Sequence, residues 1–407
     1  MQATYIMAKI LGIGNAVLDT ILTVKHYPQE DQEVRALSKT LSSGGNINNT
    51  LYILNQLGHD SAICCALATD LEAKQLLKGF KERQLSTKHT QTFIQGKTPS
   101  SFITLNHKNG QRTIVHYREL PEVTFEHFAK IAVEAFDWLH FEGRNIENLA
   151  GMINIAKTFL THQSISLEVE KPREGIEALF NQVNLVIFSH HYATEKGFSN
   201  GLELLTQIQK EAPNTKLACT WGDQGVWFAD IQQKVKHIKA EEIHPIIDTL
   251  GAGDTFNAAL IHHLIQKKDF KEAVSLANKL AAQKCTQYGL DHFLHKSHTK
   301  PIANIKQLSN AKTQMIKANK NSPSILLIKH ENTIKAYVNN CPHQNVPLDE
   351  AYKIDVNPFE KTLKCSVHDA FFKIEDGECI EGPCRNKSLA KINIDIDAKG
   401  DIYLNEC

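Results

Sequence analysis

Short β-rich runs alternate with helical patterns from Lys9 to about Leu290, and past Gly289 the alternation stops. KILGIGNAVLD, WLHFEG, SISLEVE, LVIFSHH and KLACTW carry the branched and aromatic residues that suit strands. Between them, NINNTLYILNQLG sets Ile47, Leu51, Leu54 and Leu57 at helical spacing, directly after Gly44-Gly45 and with Gly58 where a C-terminal cap belongs. Strands that alternate with helices predict a mainly parallel sheet covered by helices. One stretch breaks the rhythm. SSFITLNHKNGQRTIVHYR holds two strand-like runs around Asn109-Gly110, both tolerant of positive φ, so an antiparallel flap is expected within the parallel-sheet domain.

Beyond Gly289, HFLHKSHTKPIAN is polar, His-rich and broken by Pro301, and reads as a linker. QMIKA, SILLIK, TIKAYVN and KINIDI then read as short strands with turns. At 407 residues the chain exceeds the roughly 250 to 300 residues at which one core stops growing. The expected division is an α/β domain over 1–294, a linker over 295–303 and a small all-β domain over 304–407. His292, His295 and His298 sit three apart and would share a face if helical, but a solvated linker explains them as well.

The 45 Lys and Arg balance the 45 Asp and Glu, which leaves no net charge to draw in nucleic acid or an acidic membrane surface. No run approaches the roughly 18 apolar residues of a membrane span, and no basic segment precedes the first apolar run, so neither insertion nor export is expected. Nine scattered cysteines, an odd number with Cys64 and Cys65 adjacent, suit a reducing compartment, and a cytoplasmic location is expected. Small-molecule chemistry is the remaining class.

In the first domain the sharpest chemistry lies in DTLGAGDTFNAALIHHLI, Asp248 to Ile265. Gly251 and Gly253 allow a tight turn, and TFNAALIHHLI reads as the helix that follows. A helix N-terminus gathers unpaired N–H groups and positive partial charge, so Gly251-Ala252-Gly253 is a candidate anion hole for a transferring phosphoryl group. Asp254 at its mouth is unfavourable for anion binding alone but suits a general base that takes a proton from an attacking hydroxyl. A glycine turn with an N-terminal helix acid is also a common structural device. A second turn, Thr220-Trp221-Gly222-Asp223-Gln224-Gly225, follows a strand with its glycines spaced for another phosphate. No G-x-x-x-x-G-K-[ST] loop occurs, which argues against a P-loop enzyme.

At this point the chain resembles the ribokinase-like, PfkB-type sugar kinases over roughly residues 9 to 294, most closely the ketohexokinase branch. YPQEDQEVR, GGNINN, TPSSFITLNHKNGQRTIV, HFEGRN, SLEVEKPRE and DTLGAGDTFNA look like segments of that branch in the same order. The resemblance implies a ribokinase-like sandwich and phosphorylation of a ketose such as fructose at its 1-hydroxyl, with ATP and Mg2+, Asp254 taking the hydroxyl proton. It implies sugar contacts from Asp19, Gly45, Asn46 and Asn49, residue types that pair vicinal diols well. Arg112 and Arg144 would lie near sugar and phosphate with Glu142 alongside, though surface ion pairs explain them too. For the nucleotide it implies Thr220, Gly222, Gly225 and the Gly251 to Gly253 turn, with Asn278 lining the adenine pocket. Asp31 would lie on a lid that reaches the partner subunit's sugar through exchanged β-flaps, so a homodimer is expected. FSHHYATE, with His190 and His191, stands where many members carry N-x-x-E to organise magnesium, which leaves the magnesium ligands unassigned.

The second domain holds Cys341-Pro342-His343 and, with 21 residues between His343 and Cys365, Cys365-Ser366-Val367-His368. Zinc sites usually pair like ligands along the chain, whereas Cys-His followed by Cys-His suits a [2Fe-2S] centre with cysteines on one iron and histidines on the other. AYVNNCPHQNVPLD and KCSVHDAFFKIEDGECIEGPC resemble Rieske ferredoxins throughout, including the Gly382-Pro383 turn that would cover the cluster. High-potential members carry a disulfide where this chain has Val346 and Val367, so a ferredoxin-type centre is implied. Cys379 and Cys384 near the covering loop are expected to be free thiols. About 40 residues follow His368, with no 2-His-1-carboxylate iron motif, which argues against a Rieske oxygenase. No flavin or nicotinamide site is visible, so a redox protein partner would exchange electrons with the cluster. The whole reads as a sugar kinase with a Rieske domain as regulator or electron carrier. The alternatives are a kinase for another sugar or polyol, and an electron-transfer protein on a kinase-derived scaffold.

Overall fold

Neighbouring residues of the strand Lys9–Ile13 serve two cores: Ile10 faces one and Leu11 the other. That is the pattern of a strand covered on both sides, which needs apolar residues at successive positions. The computed structural model describes residues 5–108, 111–159, 163–291, 302–310, 312–316, 324–330, 333–392, 394–396 and 400–404. The chain divides into two compact units, Met1–Leu294 and His295–Cys407. The three linker histidines and the Asn109-Gly110 turn lie outside the described residues.

In the first unit eight strands form one sheet, in the order Lys236–Ile238, Val226–Ala229, Lys216–Thr220, Leu185–Ser189, Ser164–Val169, Trp138–Glu142, Lys9–Ile13 and Asp60–Cys64. The last six run parallel, and the first two close one edge antiparallel. Helices Asn46–Gln56, Ala252–Ile265 and Phe270–Lys284 pack on one face with Ile10, Leu185 and Ile187. Helices Ile146–Phe159 and Gly201–Glu211 pack on the other with Leu11, Leu139 and Val186. The alternation therefore gives the parallel sheet that it predicts. Parallel strands bring all their C-terminal ends to one edge, which is where ligands bind in sheets of this kind.

KILGIGNAVLD does not stay one strand. The Gly14 N–H still bonds the Cys64 carbonyl, but the Asn15 N–H is taken by the Glu142 carboxylate, and the chain leaves for a second sheet as Val17–Val24. That sheet orders Ser38–Gly44, Val17–Val24, Ser100–Asn106 and Arg112–Tyr117. The last two pair antiparallel from Ser100 with Tyr117 to Leu105 with Arg112, as the Asn-Gly signal predicts. The flap is nevertheless mixed, because Val17–Val24 pairs parallel with Ser100–Asn106. That long-range seam has no local sequence signal.

Gly225 closes the edge turn at φ 91°, where a Cβ would overlap the Ile238 carbonyl oxygen and lie 2.5 Å from the Ala240 nitrogen. Gly222, at φ 57° in the same turn, faces open space. Gly225→Ala should therefore destabilise the first unit by at least about 2 kcal/mol, and Gly222→Ala by about 1 kcal/mol. Thermal unfolding followed by the fluorescence of nearby Trp221 and Trp227 checks the order of the two.

In the second unit, strands Lys312–Ile316, Ile325–His330, Thr333–Val338 and Lys391–Ile392 form one antiparallel sheet, and Asp355–Asn357, Thr362–Lys364, Phe371–Lys373 and Cys379–Glu381 another. Their shared core gathers Leu326, Tyr337, Leu348, Leu363 and Phe372 around Cys341, Cys365, Cys379 and Cys384. The small all-β expectation holds.

Candidate active site and cluster site

Asp254 lies in the first turn of the helix Ala252–Ile265, which begins three residues before the expected start because Gly251, at φ 77°, turns the chain into it. The Gly253 and Asp254 amides precede the first i to i−4 bond, Thr255 N–H to Gly251 O at 2.8 Å. A Cβ on Gly253 would meet nothing within 4 Å, so room is left there for something other than protein. The Asn49 amide donates to Asp254 Oδ2 at 2.8 Å, and Arg83 Nη1 holds Asn49 Oδ1 at 3.4 Å. Asn49 is placed by the helix Asn46–Gln56, which starts from Gly45 at φ 99° and presents Asn46 and Asn49 one turn apart.

Burial pushes the Asp254 carboxyl up to about 7, against the Asn49 bond and with help from Glu142 and Glu170. Glu168 is held well above its ordinary range by burial and by Asp254, Glu142 and Glu170. Four carboxylates thus gather at the C-terminal edge of the sheet, where full ionisation is disfavoured. Asn46 Nδ2 bonds Glu168 Oε1 at 3.1 Å and Glu170 Oε2 at 3.5 Å, while the buried Glu168 Oε2 has no partner among the described residues.

Asp19 comes from the flap strand Val17–Val24, in one cross-strand row with Ser101 and His116. A Cβ on Gly44 would overlap its carboxylate, so the first glycine of the Gly-Gly pair clears space for Asp19. Burial raises Asp19 to about 6, opposed by a Ser101 hydrogen bond and by Arg83 and Arg112. Arg112 and Asp19 lie on the same face of the flap, since Arg112 pairs Leu105 four residues along from Ser101. Asp31 is exposed at φ 60°, outside this group.

Glu142, at the end of its strand, accepts the Asn15 N–H at 2.7 Å and faces Arg144 at 3.4 Å. Arg144 also meets Glu122 at 3.0 Å, and Glu122 meets Arg118 at 3.3 Å, so Arg144 sits inside a carboxylate network. On the nucleotide side, the Trp221 N–H bonds Gly225 O to close the turn after Thr220, whose hydroxyl lies 3.5 Å from Phe188 O. Asn278 donates to the Lys239 carbonyl at 2.8 Å, which ties its helix to the sheet edge. Lys284, fully buried, contacts Asp248 Oδ2 at 2.7 Å and Asp248 O at 2.9 Å, and so anchors the segment that leads into the Gly251 turn.

Arg83, Glu168, Glu170 and Lys284 are the residues that sequence reading missed. Arg83 is a buried cation over the Tyr52 ring, acting on both Asp19 and Asp254. It stands at the end of an ordinary charged helix, KGFKER, with no motif around it. SLEVE did signal the two glutamates, since acids at the C-terminal end of a buried strand have no structural reason to be there.

In the second unit, two loops share one construction. The Cys341 N–H bonds Val346 O at 2.7 Å, and the Cys365 N–H bonds Ala370 O at 2.9 Å. Each loop turns through a positive φ at its fifth residue, 56° at Asn345 and 49° at Asp369, residue types that tolerate that region. Ser366 N–H to Leu348 O, 2.8 Å, ties the segments together. The ligand atoms of Cys341, Cys365 and His368 lie within 4.8 Å of one another, and the His343 and His368 rings meet edge to face at 4.5 Å. His368 Nδ1 lies 3.7 Å from Cys365 Sγ, while its Nε2 faces Gln344 Oε1 at 3.2 Å. The buried His343 Nδ1 has no partner among the described residues. Two buried thiols beside two imidazoles, one with an orphaned nitrogen, fit a metal group that takes two sulfur and two nitrogen ligands. Among the described residues no helix is long and apolar enough to cross a membrane.

Residues 7–297 match the pfkB family carbohydrate kinase model, and residues 298–394 match the Rieske [2Fe-2S] domain model. Ketohexokinase of Mus musculus is 33% identical over 291 residues, which is 70% of this chain and 98% of that protein. Ribokinase of Staphylococcus aureus is 26% identical over 299 residues, 69% of this chain and 94% of that one. Among solved structures, ribokinase from Giardia lamblia superposes with a TM-score of 0.61 at 15% identity over 70% of this chain and 97% of its own. The Arabidopsis thaliana ribokinase complexed with ribose and ATP gives 0.58 at 16%, over 72% and 100%. With a ribokinase-like sheet, a family model that spans most of its length and a second unit built around a Cys-His pair of loops, the chain belongs to the pfkB family of carbohydrate kinases and carries a C-terminal Rieske domain.

Proposed function

We propose that the first unit transfers the γ-phosphoryl group of ATP to O1 of a ketohexose, with fructose the leading candidate, and that Asp254 is the general base. As the sugar oxygen attacks phosphorus, Asp254 takes its proton and the bond to ADP breaks. The observation that carries this reading is the Asn49–Asp254 bond of 2.8 Å at the mouth of the Gly251-Ala252-Gly253 turn. It joins the helix that offers sugar-type donors to the helix that offers an anion hole, with a carboxylate raised to about 7 between them. Similarity to ketohexokinase over nearly all of that protein's length favours a ketose over ribose. Asp19, Gly45, Asn46, Arg112, Glu142 and Arg144 surround the sugar in this reading, and Thr220, Gly222, Gly225 and Asn278 border the nucleotide. Mg2+ would offset phosphate charge, and the unpartnered Glu168 Oε2 is the oxygen suited to face it.

Pairing of two copies through the flap, with Asp31 reaching the partner's sugar, belongs to the same reading. Leu41, Phe102 and Val115 support it, because they form one exposed row across the strands through Thr20. In the second unit Cys341, His343, Cys365 and His368 would hold a [2Fe-2S] cluster, which supplies one-electron transfer to a redox protein partner. The test is a panel of ketoses, aldoses and polyols supplied with ATP and Mg2+ to the full-length protein, with products identified by phosphorus NMR. A ketohexose 1-phosphate should form with the highest kcat/KM. A preference for ribose would reassign the substrate, and no phosphorylation by cluster-loaded protein would leave only the electron-transfer reading.

A further inference from the structure

Outside the four ligands, the second unit holds two more buried cysteines that touch each other. Cys384 Sγ lies 3.1 Å from Cys379 Sγ, closer than unbonded sulfurs normally approach, and both are free thiols at 1% and 2% exposure. A disulfide needs about 2.05 Å, so a shift of about 1 Å would join them. They bracket Ile380-Glu381-Gly382-Pro383, where Gly382 at φ 104° turns the chain so tightly onto the second ligand loop that a Cβ would come 2.7 Å from Ala370 Cα. The far end of the same segment reaches the first ligand loop, since Lys387 Nζ lies 3.2 Å from Pro342 O, and the Cys379 N–H holds Lys387 O at 2.8 Å. What happens at this pair is therefore felt at both halves of the cradle.

We propose that Cys379 and Cys384 are a reversible redox pair, oxidised by hydrogen peroxide to a disulfide that staples the segment lying over the cluster ligands. Peroxide fits as a small oxidant, since both sulfurs are buried. One thiol sulfur attacks peroxide, the O–O bond breaks, and a sulfenic acid and water form. The second sulfur then attacks the sulfenyl sulfur, the S–O bond breaks, and its hydroxyl leaves as a second water with the remaining thiol proton. Two sulfurs lose two electrons to one peroxide, and a dithiol reductant reverses the bond by exchange. Drawing the two sulfurs together fixes the segment that touches Ala370 in one ligand loop and Pro342 in the other, and the surroundings of the ligand sulfurs help set a cluster's potential. The oxidised pair should therefore shift the cluster's midpoint potential, an effect that rests on the Rieske reading.

Trypsin releases Ile374 to Arg385 as one peptide, which contains Cys379 and Cys384 and no other cysteine. The full-length holoprotein, its cluster spectrum recorded first, is treated with peroxide, unfolded, alkylated and digested. The peptide should appear unalkylated and lighter by two hydrogens, and dithiothreitol should restore alkylation at both sites. Recovery of the peptide doubly alkylated, or as a sulfinic acid, would overturn the pair. In the intact holoprotein the midpoint should shift on oxidation, and in Cys379→Ala it should not respond to peroxide in this way. A wild-type midpoint unchanged after the bond has formed would overturn the link to the cradle. Absence of any cluster spectrum would count against the Rieske reading alone, because the peptide mass still reports on the pair.

Discussion

Asp254→Asn should lower kcat about 10³-fold with little change in KM for the sugar, within the range that a positioned general base supplies. That loss corresponds to about 4 kcal/mol of transition-state stabilisation. The change keeps side-chain shape and leaves an oxygen to accept from Asn49, so positioning survives while the proton acceptor is lost. The pH profile separates loss of the base from loss of the fold. In the proposed mechanism the active form of the wild type is the Asp254 carboxylate, and burial raises its pKa to about 7. The rate should therefore fall as pH drops through 7 and level off above it, and this limb should vanish in Asp254→Asn. A variant that keeps both the rate and the limb would sink the assignment. Steady-state kinetics of sugar phosphorylation from about pH 5 to 9 measures both.

Cys341→Ser or Cys365→Ser should abolish the visible spectrum of the purified protein. Losing a ligand costs more than losing an outer partner, and outer partners already account for about 10- to 100-fold in metal affinity. Gln344→Ala, which removes only the partner of His368 Nε2, should keep the colour with weaker retention. Because Cys341 and Cys365 sit in the core with Leu326, Phe372 and Tyr337, loss of the proposed cluster should also lower the unfolding temperature of the second unit. Optical spectra, iron and sulfide analysis and calorimetry check this. A colourless wild type loaded with zinc would overturn the iron–sulfur reading.

How far each feature was legible depends on how far apart its parts lie along the chain. The helix Asn46–Gln56, its Gly58 end, the Asp254 turn and the Cys-His loops are each specified within about a dozen residues, and the structure contains each of them. The parallel seam of the flap joins residues about eighty positions apart, and its partners carry ordinary strand patterns. The contact between Asn49 and Asp254 spans 205 positions, and Arg83 reaches the same place from the end of a surface-like helix. Such convergence is set by tertiary packing, which single-segment propensity does not encode. Gly225 and Asn278 illustrate a further limit. Their residue types suit a nucleotide edge, yet each also has a tight backbone neighbour that accounts for its presence.

The paired Cys-His loops also carry an asymmetry. Both are closed from the cysteine N–H to the carbonyl five residues on, yet one places its histidine two residues after the cysteine and the other three. Identical frames with different offsets are not interchangeable: grafting one loop's sequence onto the other's frame would move an imidazole by one residue and break the match. The cradle therefore tells its two halves apart by the reach of each imidazole, although their backbones close alike.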